Sequence, residues 1–93
     1  MRYRLEFLEE ALAEWHRLDG SIKAQLKKKL AERLAEPRLP AALLSGHADR
    51  YKIKLRSIGY RLVYQVEDDR LVVLVVAVGR RDRNAVYKAA ENR

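Results

Sequence analysis

The sequence predicts a small α+β domain, and three observations carry that prediction. Apolar residues recur at helical spacing as far as Leu34, then alternate with period two from Tyr51 onward. Pro37, Pro40, Gly46, Gly59 and the polar cluster Glu67–Arg70 punctuate the boundaries between these stretches. The chain has 93 residues and is 48% apolar, enough for one core but not for two. A single domain over residues 1–93 is therefore expected.

Arg2–Phe7 reads as a short strand, with Tyr3, Leu5 and Phe7 alternating against Arg2, Arg4 and Glu6. From Leu8 the period changes. Leu8, Ala11, Leu12, Trp15 and Leu18 share one helical stripe, with Glu9, Glu10, Glu14 and Arg17 outside it. Asp19-Gly20-Ser21 breaks this helix, and Ser21 is expected to cap the next, although Ala24 denies it a capping box. Ile22, Leu26, Leu30 and Leu34 recur every four residues until Pro37 ends the second arm of an amphipathic hairpin. Arg38–Asp49 is a loop, with Leu43 and Leu44 tucked against the core.

Tyr51–Arg56 alternates strictly, and Ser57-Ile58-Gly59 turns the chain into a second alternating strand, Tyr60–Val66. Glu67–Arg70 makes another turn. Leu71–Gly79 is apolar on both faces, which suits a central strand. Arg83–Asn92 forms a closing helix with Asp82 as its N-cap and Val86, Ala89 and Ala90 facing inward. So short a helix, with few apolar anchors, is expected to dock weakly and to be the element most easily displaced.

Composition excludes several classes of function. The absence of Cys removes disulfides, thiolate chemistry and Cys-ligated zinc. His16 and His47 stand far apart and read as structural or surface residues, so no metal site and no cofactor are expected. The longest apolar run, Leu71–Val78, is well short of the ~20 residues a membrane helix needs. No apolar leader follows Met1, so a cytoplasmic protein with no membrane partner is expected. The net charge of +7 is unevenly placed: residues 1–49 are near balance, whereas residues 50–93 hold eleven Lys/Arg against five Asp/Glu. A basic half of this kind offers a surface to a polyanion.

Hairpin register decides whether the basic residues meet. An even loop that sets Arg56 opposite Arg61 places Lys54 against Val63 and Lys52 against Gln65. Lys52, Lys54, Arg56 and Arg61 then share one face, while Ile53, Leu55, Leu62 and Tyr64 share the other. A three-residue loop spoils both faces. The patch reads either as a solvated sheet face or as a phosphate site, and Arg80 and Arg81 at the end of the central strand favour the second. Tyr87 is the nearest group with a transferable proton, and it also reads as a packing tyrosine. Lys27-Lys28-Lys29 reads as a solvated helix face, with phosphate contact as the alternative.

Tyr51-Lys-Ile-Lys-Leu-Arg-Ser-Ile-Gly-Tyr-Arg-Leu-Val-Tyr-Gln65 and Val78-Gly-Arg-Arg-Asp-Arg-Asn-Ala-Val-Tyr87 resemble the matching strings of the RelE toxins. Those toxins belong to the RelE/ParE superfamily of toxin–antitoxin systems. Leu12–Trp15, Gln25–Leu30 and the Pro37 region extend the likeness over essentially the whole chain. The resemblance implies a curved antiparallel sheet with a helical hairpin and a short C-terminal helix. It implies ribosome-dependent cleavage of mRNA in the A site, in the cytoplasm of a bacterium or archaeon. The implied active-site positions are Lys52, Lys54, Arg61, Arg81 and Tyr87. Arg56, Arg80, Arg83, Lys27, Lys28 and Lys29 are the expected contacts to RNA or ribosome. The implied partners are a RelB-like antitoxin, the ribosome with its rRNA and mRNA, and operator DNA indirectly through the antitoxin.

The chemistry suits the resemblance. Cutting RNA through its own 2′-hydroxyl needs a base, an acid and stabilisation of a crowded phosphorane, and most ribonucleases use His and Glu for the proton transfers. No His stands near the patch, which puts the burden on substrate positioning. The alternatives are a ParE-like toxin of the same fold acting on DNA gyrase, and a nucleic-acid-binding module without catalysis.

Overall fold

Alternation along the second half of the chain builds a sheet with two unlike faces, and the helices divide between them. The computed structural model describes residues 2–93. Its strands are β1 (Arg4–Phe7), β2 (Arg50–Leu55), β3 (Tyr60–Glu67) and β4 (Val72–Arg80), and its helices are α1 (Glu9–His16), α2 (Gly20–Ala35) and α3 (Ala85–Glu91). The sheet order is β1-β4-β3-β2. β2, β3 and β4 are antiparallel as expected, and β1 adds itself parallel to β4, so the sheet is mixed. β4, the strand apolar on both sides, is indeed internal.

Tyr51, Ile53 and Leu55 of β2 and Leu62, Tyr64 and Val66 of β3 face the helical hairpin. They pack with Ala11 and Trp15 of α1 and with Leu26 and Leu30 of α2. Burying each of these leucines contributes roughly 1.5–3 kcal/mol. The opposite face carries a smaller cluster, Val63, Val76 and Ala77, covered by Val86 and Ala90 of α3. A β-bulge in β4 enlarges that cluster: Val63 pairs with Ala77 but Tyr64 with Val75, leaving Val76 as the extra residue.

Several boundaries differ from the sequence reading, each for a local reason. Leu12 is 39% exposed and lies off the buried stripe of α1. Asp19, in extended backbone, occupies the N-cap position of α2. Ser21 sits inside the helix and donates to the Asp19 carboxylate at 2.6 Å, so it is not the cap. In the loop before β2, Leu44 packs against the smaller cluster while Leu43 stays exposed and bridges Tyr51 at the sheet edge. β4 starts at Val72 because Leu71 takes a left-handed φ of 52° to close the turn. Arg83 and Asn84 are left-handed in succession (φ 52° and 58°), so the last helix starts at Ala85 and Asp82 is not its cap. Nor does that helix rest on apolar anchors alone. Side chains of His47, Arg50 and Glu14 all hold its C-terminal end or the residues just beyond it.

The β2–β3 turn has four residues, Arg56–Gly59, and is thus even as expected, but it lies two register steps from the predicted pairing. Leu55 faces Tyr60, Lys54 faces Arg61 and Lys52 faces Val63. A shift of two keeps every side chain on its predicted face. Gly59 closes the turn at φ 68°, its N–H bonded to the Leu55 carbonyl at 2.9 Å. Its own carbonyl accepts the Arg81 N–H at 2.8 Å, which ties the turn to the end of β4. Gly59→Ala forces a Cβ into the left-handed region and costs about 1–2 kcal/mol. Thermal denaturation should show a Tm several degrees lower, with Gly59→Asn intermediate; an unchanged Tm in Gly59→Ala would contradict this role.

Candidate active site on the basic face of the sheet

Lys52 and Lys54 on β2 and Arg61 on β3 project from the face opposite the helical hairpin, with Lys54 directly across the ladder from Arg61. Like charges facing each other in this way destabilise a sheet. Among the described residues, no carboxylate lies within ion-pair distance of Lys52, Lys54, Arg56, Arg61 or Arg81. The carboxylates that form ion pairs serve Arg4, Arg38, His47, Arg70, Arg80 and Arg93 instead.

Arg61 is the extreme case. It is only 7% exposed, the one charged residue in the buried set among the described residues. Its guanidinium donates to the Tyr60 carbonyl at 2.9 Å, a neutral acceptor. A buried guanidinium facing cations is costly unless an anion completes it. Beside it, Lys54 is held below the ordinary lysine pKa, first by the charge of Lys52, then by partial burial, Arg56 and Arg61. Lys52, Lys54 and Arg56 continue into a hollow of about 310 Å³ at the sheet edge, shared with Arg33, Leu39, Ala41 and Ala42.

Arg81 and Tyr87 approach from the far side of β3. The Arg81–Gly59 hydrogen bond fixes the backbone of Arg81 at the open end of the hairpin. A Cβ built on Gly59 would lie 3.8 Å from Cγ and Nε of Arg81, so this side chain passes over the turn. Gly79, opposite Arg61, leaves room for α3: the Val86 Cγ2 sits 3.4 Å from where its Cβ would be. Tyr87 follows Val86 and packs against the cluster containing Val63, the ladder partner of Lys52. Lys52, Lys54 and Arg61 thus share one face by register, while Arg81 lies over the hairpin turn and Tyr87 packs on the apolar cluster beside them.

The outlying cations divide. Arg56, on the turn, joins the patch electrostatically through Lys54. Arg80 alternates to the other face, where it lies over the Tyr60 ring, pairs with Asp82 at 3.3 Å and lines a separate hollow of about 480 Å³ with Glu14 and Arg17. It is therefore not gathered with Lys54 and Arg61. Arg83 is exposed on the left-handed link before α3. Lys27, Lys28 and Lys29 are exposed on α2, in the layer on the opposite side of the sheet. Sequence reasoning missed Arg50, which shares the face of Lys52 and Lys54 but is spent on Gln65 and the Ala90 carbonyl. The alternation that revealed Lys52 and Lys54 extends back to it.

The model of the ParE toxin family of type II toxin–antitoxin systems (parDE) matches residues 5–85. The mRNA interferase toxin RelE of Escherichia coli (strain K12) is 55% identical over 93 residues, covering 100% of this chain and 98% of its own length. The chain belongs to the RelE toxin family. Its RelE relative from Shigella flexneri, an mRNA interferase, is equally similar at 55% identity over 93 residues. Among solved RelE structures, an R81A/R83A mutant of the E. coli toxin in the free state superposes with a TM-score of 0.92 at 53% identity, covering 100% of this chain and 98% of that one. RelE in the intact E. coli RelBE toxin–antitoxin complex gives a TM-score of 0.81 at 56% identity, covering 84% of this chain and 95% of that one.

The depressed pKa of Lys54 has a direct test. Replacing Lys52 by Ala removes the largest cause, so the Lys54 pKa should rise toward the ordinary lysine value in an NMR titration of its side chain. Because the folded state disfavours charged Lys54, stability should also rise as pH climbs through its folded pKa. An unmoved titration midpoint in Lys52→Ala would rule out the charge coupling.

Proposed function

We infer that this chain is the toxin of a type II toxin–antitoxin pair, cutting mRNA in the ribosomal A site and neutralised by a RelB-like antitoxin. One observation carries the reading beyond family membership. A buried Arg61 that makes no ion pair, with Lys54 opposite it and Lys52 and Arg56 adding their charge to Lys54, is the place where a phosphate fits best. The cytoplasm, where translating ribosomes are, is the matching location. Among the described residues, no helix is long and apolar enough to cross a membrane.

Each residue then has a chemical role. Arg61 holds the scissile phosphate through its planar fork of donors. The 2′-oxygen attacks the adjacent phosphorus, and its proton passes to Lys54, whose charged form is already disfavoured. The bond from phosphorus to the 5′-oxygen breaks, leaving a 2′,3′-cyclic phosphate upstream. Arg81 neutralises the charge on the departing 5′-oxygen, which takes its proton from water to become the 5′-hydroxyl, and Lys52 shares in neutralising the phosphorane. Tyr87, on the flank formed by α3, stacks on a base or orients the nucleotide. With no His or carboxylate to drive the proton transfers, alignment must supply much of the rate, and the ribosome provides it.

The gyrase reading gains nothing from these residues, and the full-length relatives carry the mRNA interferase name. The test is to map mRNA ends in a translation reaction with and without the protein. Cuts confined to the A-site codon, with free RNA cut far more slowly, are expected; equal rates on free RNA would overturn ribosome dependence. Arg81→Ala should lower cleavage about 100-fold or more with little change in Tm. If Tyr87→Phe keeps activity while Tyr87→Ala loses it, stacking suffices; wild-type cleavage by Arg81→Ala and Tyr87→Ala would remove both residues from the site.

A further inference from the structure

α3 carries Tyr87 yet has little of its own to hold it in place. It has seven residues, too few to be a stable helix by propensity, and it is entered through two left-handed residues. Its buried anchors, Val86 and Ala90, are small. Beyond them, polar contacts at the opposite end of the helix fix its position.

Arg93 donates both guanidinium nitrogens to Glu14 of α1, at 2.8 and 3.0 Å, and also donates to the Val76 carbonyl at 3.0 Å. Glu14 in turn accepts the Val78 N–H at 3.2 Å. Both partners are mostly shielded from solvent, with side-chain exposures of 16% and 25%. Bidentate pairs of this kind fix geometry as well as energy. β1 pairs with β4 only as far as Val75, so this ion pair also satisfies backbone groups on the β4 edge where β1 has ended. Arg50 closes the latch from β2, donating to the Ala90 carbonyl at 2.6 Å, where a cation also favours a helix C-terminus. His47 meets Glu91 at 2.6 Å alongside.

We propose that Glu14, Arg93 and Arg50 are positioning residues for RNA cleavage: they latch the end of α3 to α1, β4 and β2 and so hold Tyr87 over the basic face. This rests on the mRNA-cleavage reading, with Tyr87 touching the substrate and the latch acting only through it. Arg93 and Arg50 belong to the basic excess, but their donors are turned inward, so they are not RNA contacts.

The experiment is a double-mutant cycle between the latch and Tyr87, read as kcat and KM on programmed ribosomes. Arg93→Ala should lower kcat about tenfold with KM within about twofold. In a Tyr87→Ala background the same change should cost less than about twofold. Arg93→Lys, which keeps the charge but loses the fork, should recover only part of the loss. Hydrogen exchange gives a readout independent of activity: the α3 amides should exchange faster in Arg93→Ala and Glu14→Gln, with the β3 amides and those of β4 other than Val78 unchanged. A raised KM at unchanged kcat would make Arg93 an RNA contact and overturn the proposal. So would a full loss in the Tyr87→Ala background, or unchanged exchange in α3. Full activity of Tyr87→Ala alone would fell the assigned role of Tyr87 and the latch's purpose with it. That failure is recognisable because α3 exchange in Arg93→Ala would still be fast.

Discussion

The crowding of Lys52, Lys54, Arg56 and Arg61 on one face of the β2–β3 hairpin, with Lys54 directly opposite Arg61, is the constraint around which the molecule is arranged. Among the described residues, no carboxylate forms an ion pair with them. The hairpin is held from behind, where Ile53, Leu55, Leu62 and Tyr64 are buried against α1 and α2. Tyr64 strengthens that side: its ring stacks on Tyr51, and its hydroxyl donates to the Pro37 carbonyl and accepts from Arg33. The apolar face thus supplies the stability that the cationic face consumes. Two-faced construction lets the chain keep a high-energy site in a small domain.

This arrangement explains why the site is good at one part of the reaction and poor at another. In the proposed mechanism, five cations without an ion-pair partner among the described residues stand in place for a phosphate before any substrate arrives, which is electrostatic preorganisation. Proton transfer is the weak point. Arginine does not release its proton at neutral pH, and Lys54 approaches usefulness only because its neighbours depress its pKa. An enzyme so built gains from a partner that bends the message and presents the 2′-hydroxyl in line.

Much of this was legible in the sequence because parity is robust. Alternation placed Lys52, Lys54 and Arg61 on one face even though the true pairing lies two residues from the predicted one, since an even slip leaves each side chain on its face. The same parity, which the sequence reading did not carry as far as Arg80, separates it from Arg81 and sets it apart from the basic face. Left-handed residues were not legible: Leu71, Arg83 and Asn84 carry no glycine signal, and each moved the start of an element. The Glu14–Arg93 pair was the least visible, because its partners lie 79 positions apart and only the assembled sheet brings them together.

The central claim is that the site's charge is kept at the expense of stability, and Arg61 tests it most directly. Arg61→Met retains the bulk of the aliphatic stem while removing the buried, anion-free guanidinium and its repulsion of Lys54. Thermal denaturation in dilute, non-phosphate buffer is the measurement, alongside mRNA cleavage on the ribosome. The account predicts a higher Tm together with lost cleavage. A lower Tm, or cleavage that survives the substitution, would contradict it.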